Sequence, residues 1–457
     1  MSTDVIVLAA GKGTRMYSDQ PKVLHPLGGK PMLSHVLDAA AAIDAETIHL
    51  VTGFQSAQVR EYFDKHPVAT PLNWVEQREQ LGTGHAVMQA VPSVSDDKTV
   101  LVLYGDVPLI SPASLQQLRD KAEATGIAVL TLVTDNPAGL GRIIRDDQDR
   151  IVAIVEEKDA TPEQKRITEI NTGIMAFNAG RLKTWLASIT TANAQGEYYL
   201  TDTVAIACGD GGTVSGLQTF DDDEVQGVNN RLQLADLERS YQRRQARQLA
   251  LQGVTVSDPA RLDIRGPITV GRDVMLDVNV ILQGSNRLGD RVTIGPNVIL
   301  IDCDIGDDCV ILANSHLEGA RLSSACTIGP FARLRPGTEL GAHAKIGNFV
   351  ETKKSTIGAG SKVNHLSYIG DASVAENVNI GAGTITCNYD GVNKYKTTIE
   401  ADVFVGSNTA LVAPVSIGRN ATIGAGSVIT SNVPESDLAV ARGRQKNIRG
   451  WKRPVKK

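Results

Sequence analysis

Small and positively charged residues are concentrated near the start of the chain, in the order Leu8-Ala9-Ala10-Gly11-Lys12-Gly13-Thr14-Arg15-Met16, and Pro21-Lys22 follows soon after. Glycine and alanine let the backbone approach a ligand closely, and glycine takes positive φ without steric cost. Backbone N–H groups in such a turn converge on an anion, and Lys12, Arg15 and Lys22 add positive charge beside them. The segment therefore predicts a site for the phosphates of a nucleoside triphosphate. For the Gly11-x-Gly13 pair alone, an ordinary turn after a strand is the alternative.

The spacing of this segment excludes two common phosphate-binding loops. Met16 stands where a dinucleotide-binding fingerprint would have its third glycine. The G-x-x-x-x-G-K-[ST] pattern does not fit the segment either. A different kind of nucleotide-binding loop is therefore expected.

An acidic residue follows the apolar run 100–104, where the chain reads Gly105-Asp106-Val107-Pro108. A carboxylate at the end of a buried strand can hold Mg²⁺, which takes one or two protein oxygens together with phosphate and water. The alternative is that Asp106 caps the following turn. A second polar turn, from Gln77 to His85, also has two interpretations, a ligand-binding loop or a helix entry capped by Thr83.

The second half of the chain has a different period. Aliphatic residues recur at every sixth position in three stretches, 328–346, 357–369 and 399–429. Neither a helix nor a simple strand has this period, whereas hexapeptide repeats do, since each repeat forms one flat side of a coil with its aliphatic residue inside. We expect the interruptions at 312–327 and 386–397 to be loops that leave the coil.

These motifs require two architectures to position them, because 457 residues are too many for one core. In residues 1–230, predicted strands at 5–8, 47–51, 100–104, 128–133 and 174–177 alternate with helices, of which 31–42 and 112–124 are the clearest. This alternation predicts an α/β, Rossmann-like domain with a mostly parallel sheet that is covered on both faces and binds ligands at the carboxyl ends of its strands. Residues 231–250 predict a helical linker with a narrow apolar stripe. Residues 251–457 predict the repeat domain with a basic tail.

The composition of the chain limits the kinds of binding partner that we expect. The chain has 46 Lys and Arg against 51 Asp and Glu, and this balance favours neither nucleic acid nor a membrane surface. We see neither a long apolar run nor a signal peptide, so we expect a cytoplasmic protein. The five cysteines have no C-x-x-C spacing and are expected to be buried thiols rather than disulfides or zinc ligands.

The segment from Leu8 to Met16, with Pro21-Lys22-Val23-Leu24, resembles the signature of the sugar-nucleotide pyrophosphorylases, a family of nucleotidyltransferases. The resemblance implies that Arg15 and Lys22 screen the charge that develops when a sugar-1-phosphate attacks the α-phosphorus of UTP. It also implies that Asp106 and Asn229 hold Mg²⁺, although Asn229 alone would be a turn residue or helix cap. Further residues are implied to bind the nucleotide or the sugar: Leu8, Ala9, Ala10, Gly11, Gln77, Gly82, Thr83, Tyr104, Gly105, Gly141, Glu156 and Asn171.

The second half resembles the hexapeptide acyltransferases, which fold as left-handed parallel β-helices and form trimers with active sites between neighbours. Its polar clusters match the family member that acetylates glucosamine-1-phosphate from acetyl-CoA. The resemblance implies that His365 is the general base, with a hydrogen-bonded structural histidine as the alternative. It implies that Arg335 and Lys353 hold the sugar phosphate, and that a backbone N–H near Ala382 stabilises the oxyanion. Other residues are implied to contact the sugar or acetyl-CoA: Tyr368, Asn379, Asn388, Tyr389, Ser407, Ala425 and Arg442.

Together the resemblances imply a cytoplasmic, homotrimeric, bifunctional enzyme that makes UDP-N-acetylglucosamine for cell-wall and lipopolysaccharide synthesis. Its substrates would be glucosamine-1-phosphate, acetyl-CoA, N-acetylglucosamine-1-phosphate and UTP, with Mg²⁺ as cofactor and no nucleic-acid or membrane partner. The basic tail from Arg442 to Lys457 could meet the phosphates of CoA or a neighbouring subunit, or be solvated. One alternative is a monofunctional sugar-1-phosphate nucleotidyltransferase with a structural, trimerising β-helix. Another is a non-catalytic regulatory subunit, which would not need the metal ligands Asp106 and Asn229.

Overall fold

In the computed structural model, which describes residues 2–456, the chain divides into two units between Tyr241 and Gln242. Met1 is the first residue of the predicted first domain, and Lys457 is the last residue of the predicted repeat domain and its basic tail. Both lie outside the described residues. Between residues 2 and 456, none of the helices is long and apolar enough to cross a membrane.

Nine strands form the central sheet of the first unit, and two short strands form a hairpin beside it. In chain order the eleven strands are β1 (Thr3–Ala9), β2 (Pro26–Leu27), β3 (Lys30–Pro31), β4 (Thr47–Thr52), β5 (Leu72–Glu76), β6 (Thr99–Tyr104), β7 (Ile127–Val133), β8 (Arg142–Arg145), β9 (Ile151–Val155), β10 (Glu169–Asn178) and β11 (Ser215–Thr219). All five predicted strands are present. The sheet order is β11-β7-β10-β6-β1-β4-β5, and β8 joins β10 and β9.

Seven of the nine strands in this sheet run in the same direction, as predicted for a mostly parallel sheet, and β9 and β10 run in the opposite direction. β1 is parallel to both β4 and β6, whereas β10 runs antiparallel to β6 and β7. Val5 and Val7 pack on one side of the sheet and Ile6 on the other, so both sides are covered by apolar cores. β1 lies where the strand order reverses, with β6 on one side and β4 on the other. This position is where open α/β sheets bind ligands.

Eight α-helices accompany the strands of the described chain: α1 (Met32–Ala41), α2 (Ser56–Lys65), α3 (Thr83–Ala90), α4 (Pro112–Thr125), α5 (Ala179–Leu186), α6 (Asp202–Gly209), α7 (Asp222–Val225) and α8 (Arg231–Leu251). Both clearly predicted helices are present as α1 and α4. α4 begins with Ser111, whose side chain accepts a hydrogen bond from the Ser114 N–H, and ends at Gly126 in the left-handed conformation. Short 3-10 turns also occur at Thr14–Met16, Lys22–Leu24, Val91–Ser93, Gln164–Arg166 and Pro259–Arg261.

The predicted linker helix is α8, and its two halves pack in different units. Leu237 is buried with Met16 in a small core of the first unit. Ala246 and Leu249 are buried in the core of the second unit.

The second unit is a three-sided parallel β-helix, the architecture predicted from the left-handed hexapeptide family. The first face consists of Thr255–Val256, Met275–Leu276, Thr293–Ile294, Val310–Ile311, Thr327–Ile328, Lys345–Asn348, Lys362–His365, Asn379–Ile380, Phe404–Val405, Thr422–Ile423 and Leu438–Ala439. The second consists of Leu262–Arg265, Val280–Gln283, Ile299–Ile301, His316–Glu318, Arg333–Leu334, Glu351–Lys353, Tyr368–Gly370, Ile385–Cys387, Ala410–Val412 and Val428–Ile429. The third consists of Ile268–Val270, Asn286–Leu288, Asp304–Ile305, Arg321–Leu322, Thr338–Leu340, Ser355–Ile357, Ala372–Val374, Thr397–Ile399 and Val415–Ile417.

The predicted six-residue aliphatic positions all point into this β-helix, where they are at most 4% exposed. The prediction of a loop at 312–327 was wrong. This segment is an ordinary coil, because Leu317 and Leu322 are buried on successive faces and Ile311 pairs directly with Ile328. Leu322 comes one residue early, and that shortening hides the period. The predicted loop at 386–397 lies in the coil between Ile380 and its partner Val405. This coil is longer than its neighbours, which is consistent with a loop that leaves it.

All five cysteines are free thiols. Cys303, Cys309 and Cys326 are buried in the β-helix, as expected for buried thiols. Cys208 and Cys387 are only partly buried.

Candidate active sites

A cavity of about 320 Å³ opens at the carboxyl end of β1, beside the predicted phosphate-binding turn. The turn is positioned because β1 is buried at the centre of the sheet and ends at Ala9. Ten of the predicted nucleotide- or sugar-binding residues line the cavity: Leu8, Ala9, Ala10, Gly11, Lys22, Gln77, Gly82, Thr83, Tyr104 and Asp106. Residues from three separate strand ends and loops therefore meet where the sequence motifs predict a nucleotide.

Three polar side chains converge at one edge of this cavity. The Lys22 ammonium contacts Asp106 Oδ2 and lies 3.4 Å from Asn229 Oδ1. The loop that carries Asn229 is held there by a 2.9 Å hydrogen bond from the Val228 N–H to the Asp106 carbonyl. The Asn229 N–H donates to Gln233 Oε1 at 2.7 Å.

Neither of these two residues acts as a cap in the structure. The Asp106 carboxylate contacts Lys22 instead of capping its own turn. Asn230, not Asn229, accepts the hydrogen bond at the start of α8, from the Gln233 N–H at 2.9 Å. Within residues 2–456, no group of three or more His, Cys, Asp and Glu side chains could hold a metal ion. One carboxylate and one amide oxygen are the donors available at this edge.

Another part of the cavity wall is formed around Tyr104. Its phenol is hydrogen-bonded to Thr83, and its ring lies against Gly173, where a Cβ would come within 2.7 Å. Burial, with the negative charges of Glu156 and Asp106, raises the pKa of Tyr104, so the group stays neutral. Thr83 is the first residue of α3 rather than its cap, and its hydroxyl also accepts from the Leu200 N–H at 3.2 Å.

The predicted sugar-side residues lie beside this wall. The Asn171 N–H donates to the Gly141 carbonyl at 2.8 Å, and a Cβ on Gly141 would lie 3.4 Å from Glu156 Oε2. Glu156 accepts from the Thr201 hydroxyl at 3.0 Å, and burial raises its pKa. The structure therefore brings Gly141, Glu156 and Asn171 together although their motifs are separate in the chain.

Four cavity-lining residues were not predicted individually: Val23, Gln80, Ala86 and Glu197. Gln80 Nε2 donates to the Ala10 carbonyl and so connects the polar turn to the phosphate-binding turn. Gln80 belongs to the polar turn noted between Gln77 and His85, but nothing in the spacing of Gln80 or Glu197 identifies them as cavity residues. Arg15, by contrast, is exposed on its 3-10 turn and does not line the cavity.

In the second unit, five residues stack along the corner where the chain turns from the first face to the second. Four of them are predicted site residues, and the fifth is Asn348. Asn348 pairs with His365, and the next residues along the axis are Ala382, Ser407 and Ala425. Backbone hydrogen bonds join the levels, since the Gly383, Asn408 and Gly426 N–H groups donate to the carbonyls of His365, Ala382 and Ser407.

His365 is exposed in this corner, and its Nδ1 lies 2.7 Å from Asn348 Oδ1. Because an amide oxygen only accepts, this contact places the proton on Nδ1 and leaves Nε2 as the free, basic nitrogen. Arg442 Nη1 donates to the Ala425 carbonyl at 2.7 Å, so the basic tail begins at the same corner. Asn348 was missed because no sequence pattern links it with His365.

Positive charge accumulates at the far end of the second face, where its strands lead to the third face. Arg335 Nη1 donates to Glu351 Oε1 at 2.9 Å, and Lys353 follows Glu351 on the same strand. The pKa of Lys353 is lowered, first by its contact with Lys394 and then by the charge of Arg335. Three cations held this close favour an anionic ligand, and Lys394 was not predicted.

The remaining predicted residues lie around these two clusters. Tyr368 begins the second-face strand that follows the His365 corner, and Asn388 Nδ2 contacts Asp371 Oδ2. Tyr389 is exposed in the long coil. Asn379 lies on the first face and not on the face of Arg335 and Lys353, so these residues are not brought together within one chain.

Comparison with known proteins matches both units. Residues 5–164 match the MobA-like NTP transferase domain, and residues 285–318 and 396–431 match the hexapeptide repeat of succinyl-transferase. The chain is 56% identical over 452 residues to the bifunctional protein GlmU of Marinobacter nauticus, and the alignment covers 99% of each chain. A solved UDP-glucose pyrophosphorylase complexed with UDP-glucose has a TM-score of 0.45 and 18% identity, over 53% of this chain and 98% of that one.

A nucleotidyltransferase domain joined to a hexapeptide-repeat acyltransferase domain defines a bifunctional transferase. The chain belongs to the family of the bifunctional GlmU proteins. It therefore has a uridylyltransferase and an acetyltransferase activity, as predicted, and the monofunctional alternative is not favoured.

Proposed function

We propose that the first unit transfers UMP from UTP to N-acetylglucosamine-1-phosphate and that the second unit makes this acceptor by acetylating glucosamine-1-phosphate from acetyl-CoA. The observation that carries the proposal is the 56% identity to a bifunctional relative over 99% of the chain. That alignment spans both polar clusters, which supports a separate site in each unit. The proposed domain limits are those predicted, 1–230, 231–250 and 251–457.

In the uridylyl site, Asp106 and Asn229 would hold Mg²⁺. Their oxygens fit this ion, because Mg²⁺ prefers oxygen donors and few protein ligands when phosphate is present. The two side chains already converge on a cation, the Lys22 ammonium. When bound, the ion would neutralise charge on the phosphates.

The chain's own residues do the rest of this reaction by positioning and by charge. The backbone of Leu8 to Gly11 would hold the triphosphate, with Lys22 and Arg15 as its cationic partners. Gln77, Gly82 and Thr83 would contact the base, with Tyr104 and Gly105 beside them. Gly141, Glu156 and Asn171 would hold the sugar.

In the acetyl site, His365 Nε2 would take a proton from the amine of glucosamine-1-phosphate as the nitrogen attacks the thioester carbonyl. The carbon–sulfur bond then breaks, and CoA leaves as the thiol after receiving a proton. Arg335 and Lys353 would hold the sugar phosphate, for which the cation cluster provides the charge. Ala382, Ser407, Ala425 and Arg442 would contact acetyl-CoA along the corner.

We propose a cytoplasmic homotrimer as the active form. Asn379 supports this proposal, because it lies on a different face from Arg335 and Lys353 and would reach a site only if neighbouring copies met. Tyr368, Asn388 and Tyr389 would line the same sugar and acyl-donor site.

The test is thiol release from acetyl-CoA by the purified chain, with and without glucosamine-1-phosphate, beside pyrophosphate release from UTP with N-acetylglucosamine-1-phosphate. His365→Ala should lower thiol release by about 10²–10⁴-fold and leave pyrophosphate release intact. Asp106→Ala should have the opposite effect. His343→Ala, a change of an exposed histidine at another corner, is the matched control and should preserve both. Thiol release that does not depend on the sugar phosphate, or that survives in His365→Ala, would contradict the assignment.

A further inference from the structure

The Lys22 ammonium occupies the position between the two oxygen donors at the edge of the nucleotide cavity. It contacts Asp106 Oδ2 and lies 3.4 Å from Asn229 Oδ1. The side chains of Lys22 and Asp106 are only 12% and 18% exposed. A metal ion bound by the same two oxygens would compete with the ammonium for the space between them.

Hydrogen bonds hold the backbone around the two oxygen donors, whereas Lys22 reaches them through its side chain. The Val228 N–H donates to the Asp106 carbonyl, and the Asn229 N–H donates to Gln233 Oε1, so backbone contacts hold both donor residues in place. Lys22 reaches them through a flexible four-carbon stem. Its stem passes against Gly13, where even a Cβ would approach Lys22 Cβ to 2.7 Å.

A second destination for this ammonium lies in the same cavity. Lys22 lines the cavity together with Ala9, Ala10 and Gly11, whose turn is suited to phosphate. A bound triphosphate would therefore attract Lys22 away from Asp106. A divalent ion without nucleotide offers no such attraction, because it repels the ammonium.

We propose that Lys22 is a resident cation that closes the metal position in the nucleotide-free protein and leaves it when a triphosphate binds. The divalent ion therefore enters with the nucleotide and not before it. This inference rests on the proposed metal site, and it adds an order of binding that the site alone does not require. Lys22 thus acts as a positioning residue before it contacts phosphate.

The test measures metal binding directly, with Mn²⁺ as the probe and free Mn²⁺ followed by electron paramagnetic resonance. Four full-length proteins are compared without nucleotide: the wild type, Lys22→Met, Lys22→Arg and Lys30→Met. Lys30 contacts Asp38 and does not line the cavity, so Lys30→Met controls for loss of a surface charge. Lys22→Met should bind one Mn²⁺ at least tenfold more tightly than the wild type, whereas Lys22→Arg and Lys30→Met should resemble the wild type.

Equal Mn²⁺ binding by the wild type and Lys22→Met, or no measurable binding by Lys22→Met, would overturn the inference. Addition of a UTP analogue that does not react should bring the wild type to the affinity of Lys22→Met. Asp106→Ala separates this inference from the proposed function. If Asp106→Ala binds the Mn²⁺–nucleotide as well as the wild type does, the metal site itself is wrong, whatever Lys22 does.

Discussion

Acidification should weaken the first unit through His35. This side chain is buried in α1, and its Nε2 lies 2.8 Å from the Leu27 carbonyl, to which the neutral ring donates. The pKa of His35 is lowered from an ordinary value of 6.5 to about 4, chiefly by burial and to a smaller extent by the charge of Lys30, although the Leu27 contact and Asp38 act in the opposite direction. Because the folded pKa is the lower one, the unfolded chain binds the proton first. The contribution of His35 to the free energy of unfolding is therefore fully present above pH 6.5 and is lost as the pH is lowered from 6.5 toward 4.

These two pKa values give a loss of about 2 kcal/mol in the free energy of unfolding between pH 7 and pH 5, before most carboxylates titrate. Urea unfolding followed by tryptophan fluorescence reports on the first unit, because Trp74 and Trp185 lie there and Trp451 lies in the exposed tail. His35→Gln keeps an N–H donor but cannot be protonated, so it is the reference protein. The wild type should lose about 2 kcal/mol more than His35→Gln over this pH range. The same pH dependence in both proteins would refute the reasoning.

Three further outcomes follow from the packing of the two units. Asn348→Ala removes the contact to His365 Nδ1, so kcat for acetyl transfer should fall about tenfold, a part of what a general base contributes; an unchanged kcat at an unchanged KM would show that Asn348 does not orient the ring. Gly13→Ala places a Cβ 2.7 Å from Lys22 Cβ at a φ of +59°, so pyrophosphate release should fall while thiol release persists. A Gly13→Ala protein with full activity in both assays would mean that the turn can move. Leu300→Ala opens a cavity in the β-helix core and should lower its unfolding free energy by about 2–5 kcal/mol, measured by calorimetry as an earlier transition; an unshifted transition would argue against a close-packed coil.

Regular burial made much of the fold predictable from sequence. Most coils of the β-helix have one inward aliphatic residue per face, with Thr352 and Thr386 as exceptions on the second face, so the period is visible wherever successive faces have the same length. It is lost where a face is shortened, as before Leu322. In the first unit, β1 and β6 contain the continuous apolar runs 5–8 and 100–104 and were predicted. β8 and β11 were not predicted, because Arg142–Arg145 and Ser215–Thr219 are short and mix polar with apolar residues.

The candidate sites, like the fold, could be predicted from the sequence only in part. Local motifs such as the turn after β1 could be recognised, because neighbouring residues in the chain act together. Contacts between distant segments could not. Lys394 reaches Lys353 from the long coil, Asn348 meets His365 one coil away, and Gln80 reaches the Ala10 carbonyl from another strand end. Their residue types are common at surfaces, so only the folded chain distinguishes them.

The division of α8 between the units determines where this chain can be cut. The first coil of a solenoid exposes core side chains and unpaired strand edges unless something covers it. Here Ala246 and Leu249 cover it, and Gln242 both donates to the Ile264 carbonyl at 3.0 Å and accepts from the Ile264 N–H at 2.7 Å. A fragment beginning at residue 251 would lack this cover and should self-associate through its bare end. A fragment beginning at residue 242 would carry its own cover, so an exchange of this module between proteins must include half of the helix.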